Sequence, residues 1–210
     1  VFQQLFFCPG LLKKYGDDTL IRRMESAGRF AIFEVSAEIF SKIAFGDRSE
    51  GILAVIQSKV LKLKDLKLGK PPLCCLVEGL EKPGNLGGIL RICDGAGIDG
   101  LLVCDGRTDI YNPNVIRASL GSLFSVKVVQ TANEAALKFL KDHRIKICVT
   151  SPRASSIYYE VNLNEPLAVV LGSEDKGASD FWMRHADIKV KIPMHGRGDS
   201  LNVSSTAAVV

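Results

Sequence analysis

The chain has 210 residues, 47% of them hydrophobic and 24% charged, with a formal net charge of +4. That is enough chain to bury a full core, as one large domain or two small ones, in the composition range of soluble globular proteins. No run of about 18 apolar residues is present, which excludes a spanning helix, and the opening VFQQLFFCPGLL lacks the basic leader and small-residue cleavage site of a secretory signal.

The first residue is not methionine, so the leading domain is expected to lack its first elements. In chain order, the apolar alternation there predicts a strand over 4–8, a helix over 18–26, a strand over 30–35, a helix over 37–44 and a strand over 52–56. Asp17 or Asp18 is placed to cap the first helix, and Ser36 the second. This pattern describes a small α/β domain. The whole charge excess lies in the first third. Residues 1–70 hold 12 Lys/Arg against 8 Asp/Glu, whereas residues 71–210 hold 15 of each. The densest part is KVLKLKDLKLGK (59–70), where Lys59, Lys62, Lys64, Lys67 and Lys70 face Asp65 alone. It reads as a solvated linker or as a phosphate-attracting arm. Lys70-Pro71-Pro72 follows, and consecutive prolines resist helix and sheet alike. The boundary is therefore placed there, giving domains 1–70 and 71–210.

Beyond it, strands are predicted over 73–79 and 100–104 with a helix over 85–96 between them. A helix over 114–120, a strand over 126–129, a helix over 134–143 and a strand over 146–149 follow. Strands over 167–172 and 188–193 flank a short helix over 181–185. Short apolar strands alternating with helices indicate a parallel sheet covered on both faces.

Six cysteines are present and no two have C-x-x-C spacing, so no metal site is expected. Cys74, Cys75, Cys104 and Cys148 sit in apolar, strand-like runs and read as reduced core residues, which fits the cytoplasm. The stretch HGRGDSLNVSS (195–205) spells an adhesion tripeptide at Arg197-Gly198-Asp199 and a glycan acceptor at Asn202-Val203-Ser204. Both imply an extracellular protein, which the cysteine pattern opposes. Matches this short arise by chance, and a glycan acceptor needs an exposed loop in a secreted chain.

In open α/β sheets, ligands bind beyond the carboxyl ends of the strands. Three such ends carry glycine with polar residues: LEKPGNLGGILR, SEDKG and MHGRGDSLNVSS. In the first, Asn85 reads as a helix cap, Gly88 as a close-packing residue, and Arg91 as a cation among apolar neighbours, snorkelling or held by an anion. The second puts Glu174 just past a strand. The third opens a helix capped by Ser200 or Asn202, with Ser204, Ala207 and Ala208 as a small face. Gly84, Gly87 and Gly88 do not have the G-x-G-x-x-G spacing of a dinucleotide site.

Together these blocks resemble the SpoU, or TrmH-like, class of SPOUT RNA 2′-O-methyltransferases. NLGGILR is similar to the first family motif, LGSEDKG to the second and IPMHGRGDSLNVSSTAA to the third. NPNVIRASLGSLF (112–124) resembles the family between them, with Arg117, Ser119 and Gly121 at familiar places. The likeness covers 73–210; the first 70 residues more weakly resemble the substrate-binding domain that often precedes this catalytic domain.

The resemblance implies a parallel-sheet fold with a C-terminal trefoil knot, S-adenosylmethionine as methyl donor and a ribose 2′-hydroxyl of RNA as acceptor, with ribosomal RNA favoured. Alternatives are a transfer-RNA 2′-O-methyltransferase and a non-catalytic RNA-binding protein. Carried over residue by residue, the catalytic group is Arg91 with Asn85, Glu174, Ser200 and Asn202. The donor-binding group is Gly172, Ile192 and Leu201, with Thr150, Met194 and Gly196. A homodimer is implied, with no membrane and no metal. The last helix is expected to run past Val210. Asp175 stands where the family pattern has glycine.

Overall fold

The computed structural model describes residues 2–12, 18–28, 30–46 and 50–210, and the chain divides into two compact units, Val1–Lys59 and Val60–Val210. The division falls ahead of the expected boundary at residue 70, for a physical reason. Leu61, Leu63, Leu66 and Leu68 pack against one of the second unit's apolar clusters, while Lys62, Lys64 and Lys67 between them stay exposed. The basic stretch is thus neither a free linker nor a free arm. It is a strap whose leucines are core and whose lysines face water.

The first unit contains β1 (Phe2–Phe7), α1 (Pro9–Leu12), α2 (Asp18–Ala27), β2 (Ala31–Glu34), α3 (Ala37–Ile43) and β3 (Ile52–Ile56). Its sheet has the order β2-β1-β3, with β1 parallel to β2 and antiparallel to β3. Leu5, Leu12 and Ile21 form its buried cluster. Ser36 caps α3 as expected, accepting from the Ile39 N–H at 3.3 Å. Asp17 lies outside the described residues, and Asp18 begins α2.

The second unit runs β4 (Leu73–Glu78), α4 (Pro83–Gly95), β5 (Gly100–Cys104), α5 (Pro113–Ser119), α6 (Ser122–Ser125), β6 (Val128–Thr131), α7 (Asn133–Asp142), β7 (Lys146–Thr150), β8 (Ser156–Ile157), β9 (Leu167–Leu171), α8 (Asp180–His185), β10 (Ile188–Lys191) and α9 (Val203–Val209). Its seven strands are ordered β6-β5-β4-β9-β7-β10-β8, and every pairing is parallel. Side chains alternate faces along a strand, so each central strand must be apolar on both sides. Cys75, Val77, Leu101 and Val103 point to one face, under Leu86, Ile89 and Leu90 of α4 and Val203 of α9. Cys74, Leu76, Leu102 and Cys104 point to the other, under Phe139 and Leu140 of α7 and Trp182 of α8. All six cysteines are free thiols in buried positions. Burial pushes Cys74 and Cys104 up to about 12, so these thiols do not ionise near neutrality.

Two glycines set how closely the α4 layer packs. A Cβ on Gly87 would stand 2.4 Å from Ala118 Cβ of α5, and one on Gly88 3.2 Å from Ser204 Cβ of α9. Both neighbouring helices therefore lean on α4 where it has no side chain.

Candidate active site

Four strands that neighbour one another in the sheet, β4, β9, β7 and β10, end along one edge because all are parallel. The segments leaving β9, β7 and β10, with Lys82 ahead of α4, enclose a cavity of about 870 Å³.

The first segment leads into α4. Pro83 takes the first helical position, where its missing N–H costs nothing, and Lys82 precedes it as the N-cap residue. Asn85 is therefore inside the first turn and is not the cap that its residue type predicted. Its side chain is turned outward to other elements. Asn85 Nδ2 donates to Glu174 Oε1 at 2.6 Å, and Asn85 Oδ1 accepts from Asn202 Nδ2 at 3.1 Å.

The second segment, after β9, turns tightly. Ser173 and Gly177 exchange backbone hydrogen bonds of 3.1 and 3.0 Å, and Gly177 has φ +69°, a left-handed value that suits glycine. A Cβ on Gly172 would lie 1.9 Å from both Ala178 N and Gly177 C, so only glycine fits under the returning chain. Asp175 sits in this turn and accepts from Ser173 Oγ at 3.3 Å. Glu174 is held between the first two segments. It also accepts from the Lys82 N–H at 3.4 Å. Partial burial raises its carboxyl. Hydrogen bonds from Asn85 and from the backbone N–H groups of Glu174, Glu81 and Lys82 lower it by more, so it lies below its ordinary value.

The third segment passes through Arg197-Gly198-Asp199, an exposed loop, into α9. Asn202, not Ser200, caps that helix. Its Oδ1 accepts from the Ser204 N–H at 2.9 Å and the Ser204 hydroxyl at 2.7 Å. Its Nδ2, the atom a glycan would occupy, is committed to Asn85.

The structure thus joins Asn85, Glu174 and Asn202 into one hydrogen-bonded chain across segments far apart in sequence. Glu174, Asn202 and Ser200 line the cavity, and Ser200 Oγ donates to Asp199 Oδ1 at 3.3 Å. Of the expected donor-binding residues, Gly172, Ile192, Leu201, Thr150 and Met194 also line it. The Thr150 hydroxyl donates to the Val170 carbonyl at 3.1 Å. Gly196 is exposed in the loop and does not line the cavity, because the chain swings outward there before returning at Asp199. Arg91 does not line it either. Its side chain is exposed on α4 and makes no ion pair among the described residues. Lys82, Arg153 and Lys176 are cavity-lining cations that sequence reasoning missed. Arg153 follows β7, a fourth strand end that the same rule would have flagged. Among the described residues no group of three or more acidic, histidine or cysteine side chains is placed to hold a metal. Among the described residues no helix is long and apolar enough to cross a membrane.

A sequence model of the SpoU rRNA methylase family matches residues 72–210, which include all three segments. The chain belongs to the SpoU rRNA methylase family. The similarity extends to individual relatives. Over 204 residues the chain is 28% identical to the 23S rRNA (guanosine(2553)-2'-O)-methyltransferase RlmP of Bacillus subtilis, spanning 96% of this chain and 80% of that protein. Over 184 residues it is 30% identical to the 23S rRNA (guanosine-2'-O-)-methyltransferase RlmB of Neisseria meningitidis serogroup B, spanning 85% of this chain and 74% of that protein. A SpoU-type fold also emerges from solved structures. A crystal structure of an RNA 2'-O ribose methyltransferase, 34% identical, covers 100% of this chain and 78% of its own, with a TM-score of 0.80. The SpoU methyltransferase AviRb of Streptomyces viridochromogenes, in complex with AdoMet, shares the fold with a TM-score of 0.88 at 23% identity, over 100% of this chain and 80% of its own.

Proposed function

We propose that the protein transfers a methyl group from S-adenosylmethionine to a ribose 2′-hydroxyl of RNA, with ribosomal RNA as substrate. The observation that carries this reading is the Glu174–Asn85–Asn202 chain, which ties together the three family segments and whose two end members line one cavity.

The cavity suits the donor. Its volume of about 870 Å³ lies within the range of small-molecule sites. Val190, Ile192, Met194 and Leu201 provide apolar surface for an adenine, and the tight turn after Gly172 supplies backbone donors and acceptors. The walls carry Glu174, Asp175, Asp180 and Asp199 together with Lys82, Arg153 and Lys176, so the sulfonium and the carboxylate of the donor both meet opposite charge. When bound, the donor supplies an electrophilic methyl carbon on its sulfonium.

The chain's own residues then have three tasks. The first is alignment, which supplies up to about 7–11 kcal/mol when the reacting atoms are held in a near-attack geometry. Asn85, Glu174 and Asn202 fix one another and so fix the start of α9 against α4. The second is to hold the RNA. A guanidinium is a donor with no acceptor lone pair to offer, so Arg91 acts as a cation and not as a base. It grips the phosphate beside the target ribose with two parallel hydrogen bonds and stabilises the alkoxide left as the hydroxyl proton passes to water; transfer of the methyl to that oxygen would leave the donor as neutral S-adenosylhomocysteine. The third is to keep charge in place. Glu174, ionised and saturated with donors, stays an anion through the reaction. Ser200, which also lines the cavity, contacts the ribose.

Several finer features belong to the same reading. The third segment is threaded as a trefoil knot around the donor. The enzyme works as a homodimer, in which Arg91, exposed here, completes the site. The first unit, residues 1–59, forms the RNA-binding domain, and the strap over 60–70, with four lysines against Asp65, gives the second unit most of the chain's excess positive charge. Six buried thiols fit a reducing cytoplasm.

Calorimetry with S-adenosylmethionine and, separately, with NAD tests the donor. Binding of the first alone is expected, and binding of NAD alone contradicts the reading. Tritium transfer from labelled donor into ribosomal RNA, compared with transfer RNA, tests the acceptor. No transfer to either makes this an RNA-binding protein without catalysis.

A further inference from the structure

We propose that Glu78 is a positioning residue for the methyl donor, holding the far end of the Gly172–Ala178 turn through Ser179 and thereby fixing the shape of the donor cavity. The inference rests on the donor reading above and adds a residue outside the three family segments.

Glu78 closes β4 and is 7% exposed, the one buried charged side chain among the described residues. A buried carboxylate is costly unless its oxygens are filled with donors. These are. Oε2 accepts the Ser179 N–H at 2.9 Å; Oε1 accepts the Ser179 hydroxyl at 2.7 Å and Asn133 Nδ2 at 3.0 Å. Asn133 is fixed in turn, because its Oδ1 accepts Trp182 Nε1 at 2.8 Å and its Nδ2 also reaches Asp105 at 2.7 Å. Ser179 stands at the N-cap of α8, yet its hydroxyl does not cap that helix. It is spent on Glu78. The start of α8 is therefore pinned to the end of β4, 101 residues away in sequence.

The pin sits where the cavity needs it. Ala178 and Asp180, on either side of Ser179, both line the cavity, as does Met183 one turn further on. The turn has one anchor in β9 and the other at Ser179. Between them the Gly172 backbone lies against Gly177 and Ala178 so closely that no Cβ would fit. Loosening the Ser179 anchor lets Ala178 and Asp180 drift, and the donor loses its wall. An apolar residue at position 78 would fill the core without the desolvation cost. The carboxylate is there to hold Ser179.

Glu78→Gln keeps the size but turns one acceptor into an N–H that faces a donor. S-adenosylhomocysteine binding, measured by calorimetry on the full chain, is expected to weaken about tenfold or more, since a buried donor is left unpaired. RNA affinity is expected to stay within about twofold, because the RNA-gripping groups are untouched. The emission of Trp182, the sole tryptophan, is expected to shift to the red as its partner Asn133 loosens. Ser179→Ala removes one donor and is expected to weaken the same ligand by less; it decides the matter if Glu78→Gln does not fold. Unchanged S-adenosylhomocysteine affinity in a folded variant, or an equal fall in RNA affinity, overturns the inference. A wild-type protein that binds RNA but not S-adenosylhomocysteine instead overturns the donor reading on which it rests.

Discussion

Asn85 and Arg91 lie six residues apart on one helix, about 9 Å along its axis, and the fold treats them in opposite ways. Asn85 spends both ends of its amide on Glu174 and Asn202. Arg91 extends from an exposed position with no ion pair among the described residues. On the proposed reading, the difference separates a part built on folding from a part that acts only when RNA arrives. Preorganised dipoles need no reorganisation at the moment of reaction, which is where the first part gains. A free guanidinium keeps its hydrogen-bonding capacity for a phosphate, which is where the second part gains.

The largest expected effect comes from removing the waiting part. Arg91→Ala is expected to lower methyl transfer about 10³-fold. Its calorimetric affinity for S-adenosylmethionine should stay within about threefold. A parallel loss of donor binding would put Arg91 in the prebuilt half. Next is Asn85→Ala, which strips partners from Glu174 and Asn202 together. It is expected to reduce transfer about 10–100-fold and to lower thermal stability as well, the combination that marks a prebuilt element. Activity loss with unchanged melting would instead put Asn85 with the groups that act only on RNA.

A third test uses pH. The Glu174 carboxyl lies below its ordinary value in the folded chain, because the hydrogen bonds from Asn85 and three backbone N–H groups outweigh partial burial. A group lowered on folding stabilises fully above its unfolded value, near pH ~4.3, and loses that contribution as pH falls through the folded value. The melting difference between wild type and Glu174→Gln is therefore expected to be constant from about pH 6 to 8 and to close below about pH 4. A difference that grows on acidification would reverse the sign. The smallest effect is expected from the strap. Lys62, Lys64 and Lys67 changed together to Gln should reduce the salt slope of RNA affinity by about 2, at ~0.7 per phosphate on single strands. An unchanged slope would confine RNA contact to groups elsewhere.

Much of the second unit was legible in the sequence because its strands are buried on both faces. LCCLVE and LAVVL read as continuous apolar runs, and turn residues bound them. The start of α4 was misplaced by two residues because Asn85 has the chemistry of a cap, while Pro83 begins the helix through its fixed φ. α6 and β8, with four and two residues, are too short to carry a period. The strap was obscured by its lysines, although its leucines recur every second or third position and dock as such. Among site residues, the three segments were visible as strand-end compositions. Their convergence was not, since the Asn85–Glu174 and Asn85–Asn202 bonds span 89 and 117 residues. Glu78 left only a faint mark, a lone carboxylate ending an apolar strand, and its partners lie 55 and 101 residues away.

Methyl transfer to a ribose 2′-hydroxyl leaves a mark that alkali reads directly. Alkali cleaves RNA through the free 2′-hydroxyl, so a methylated ribose leaves its phosphodiester intact. Ribosomal RNA incubated with the protein and methyl-labelled S-adenosylmethionine is therefore digested with base and resolved. Label is expected in a single alkali-stable dinucleotide, and is expected to be absent when Arg91→Ala replaces the wild type. Label in mononucleotides, which places the methyl group on a base, or none at all, would contradict ribose methylation.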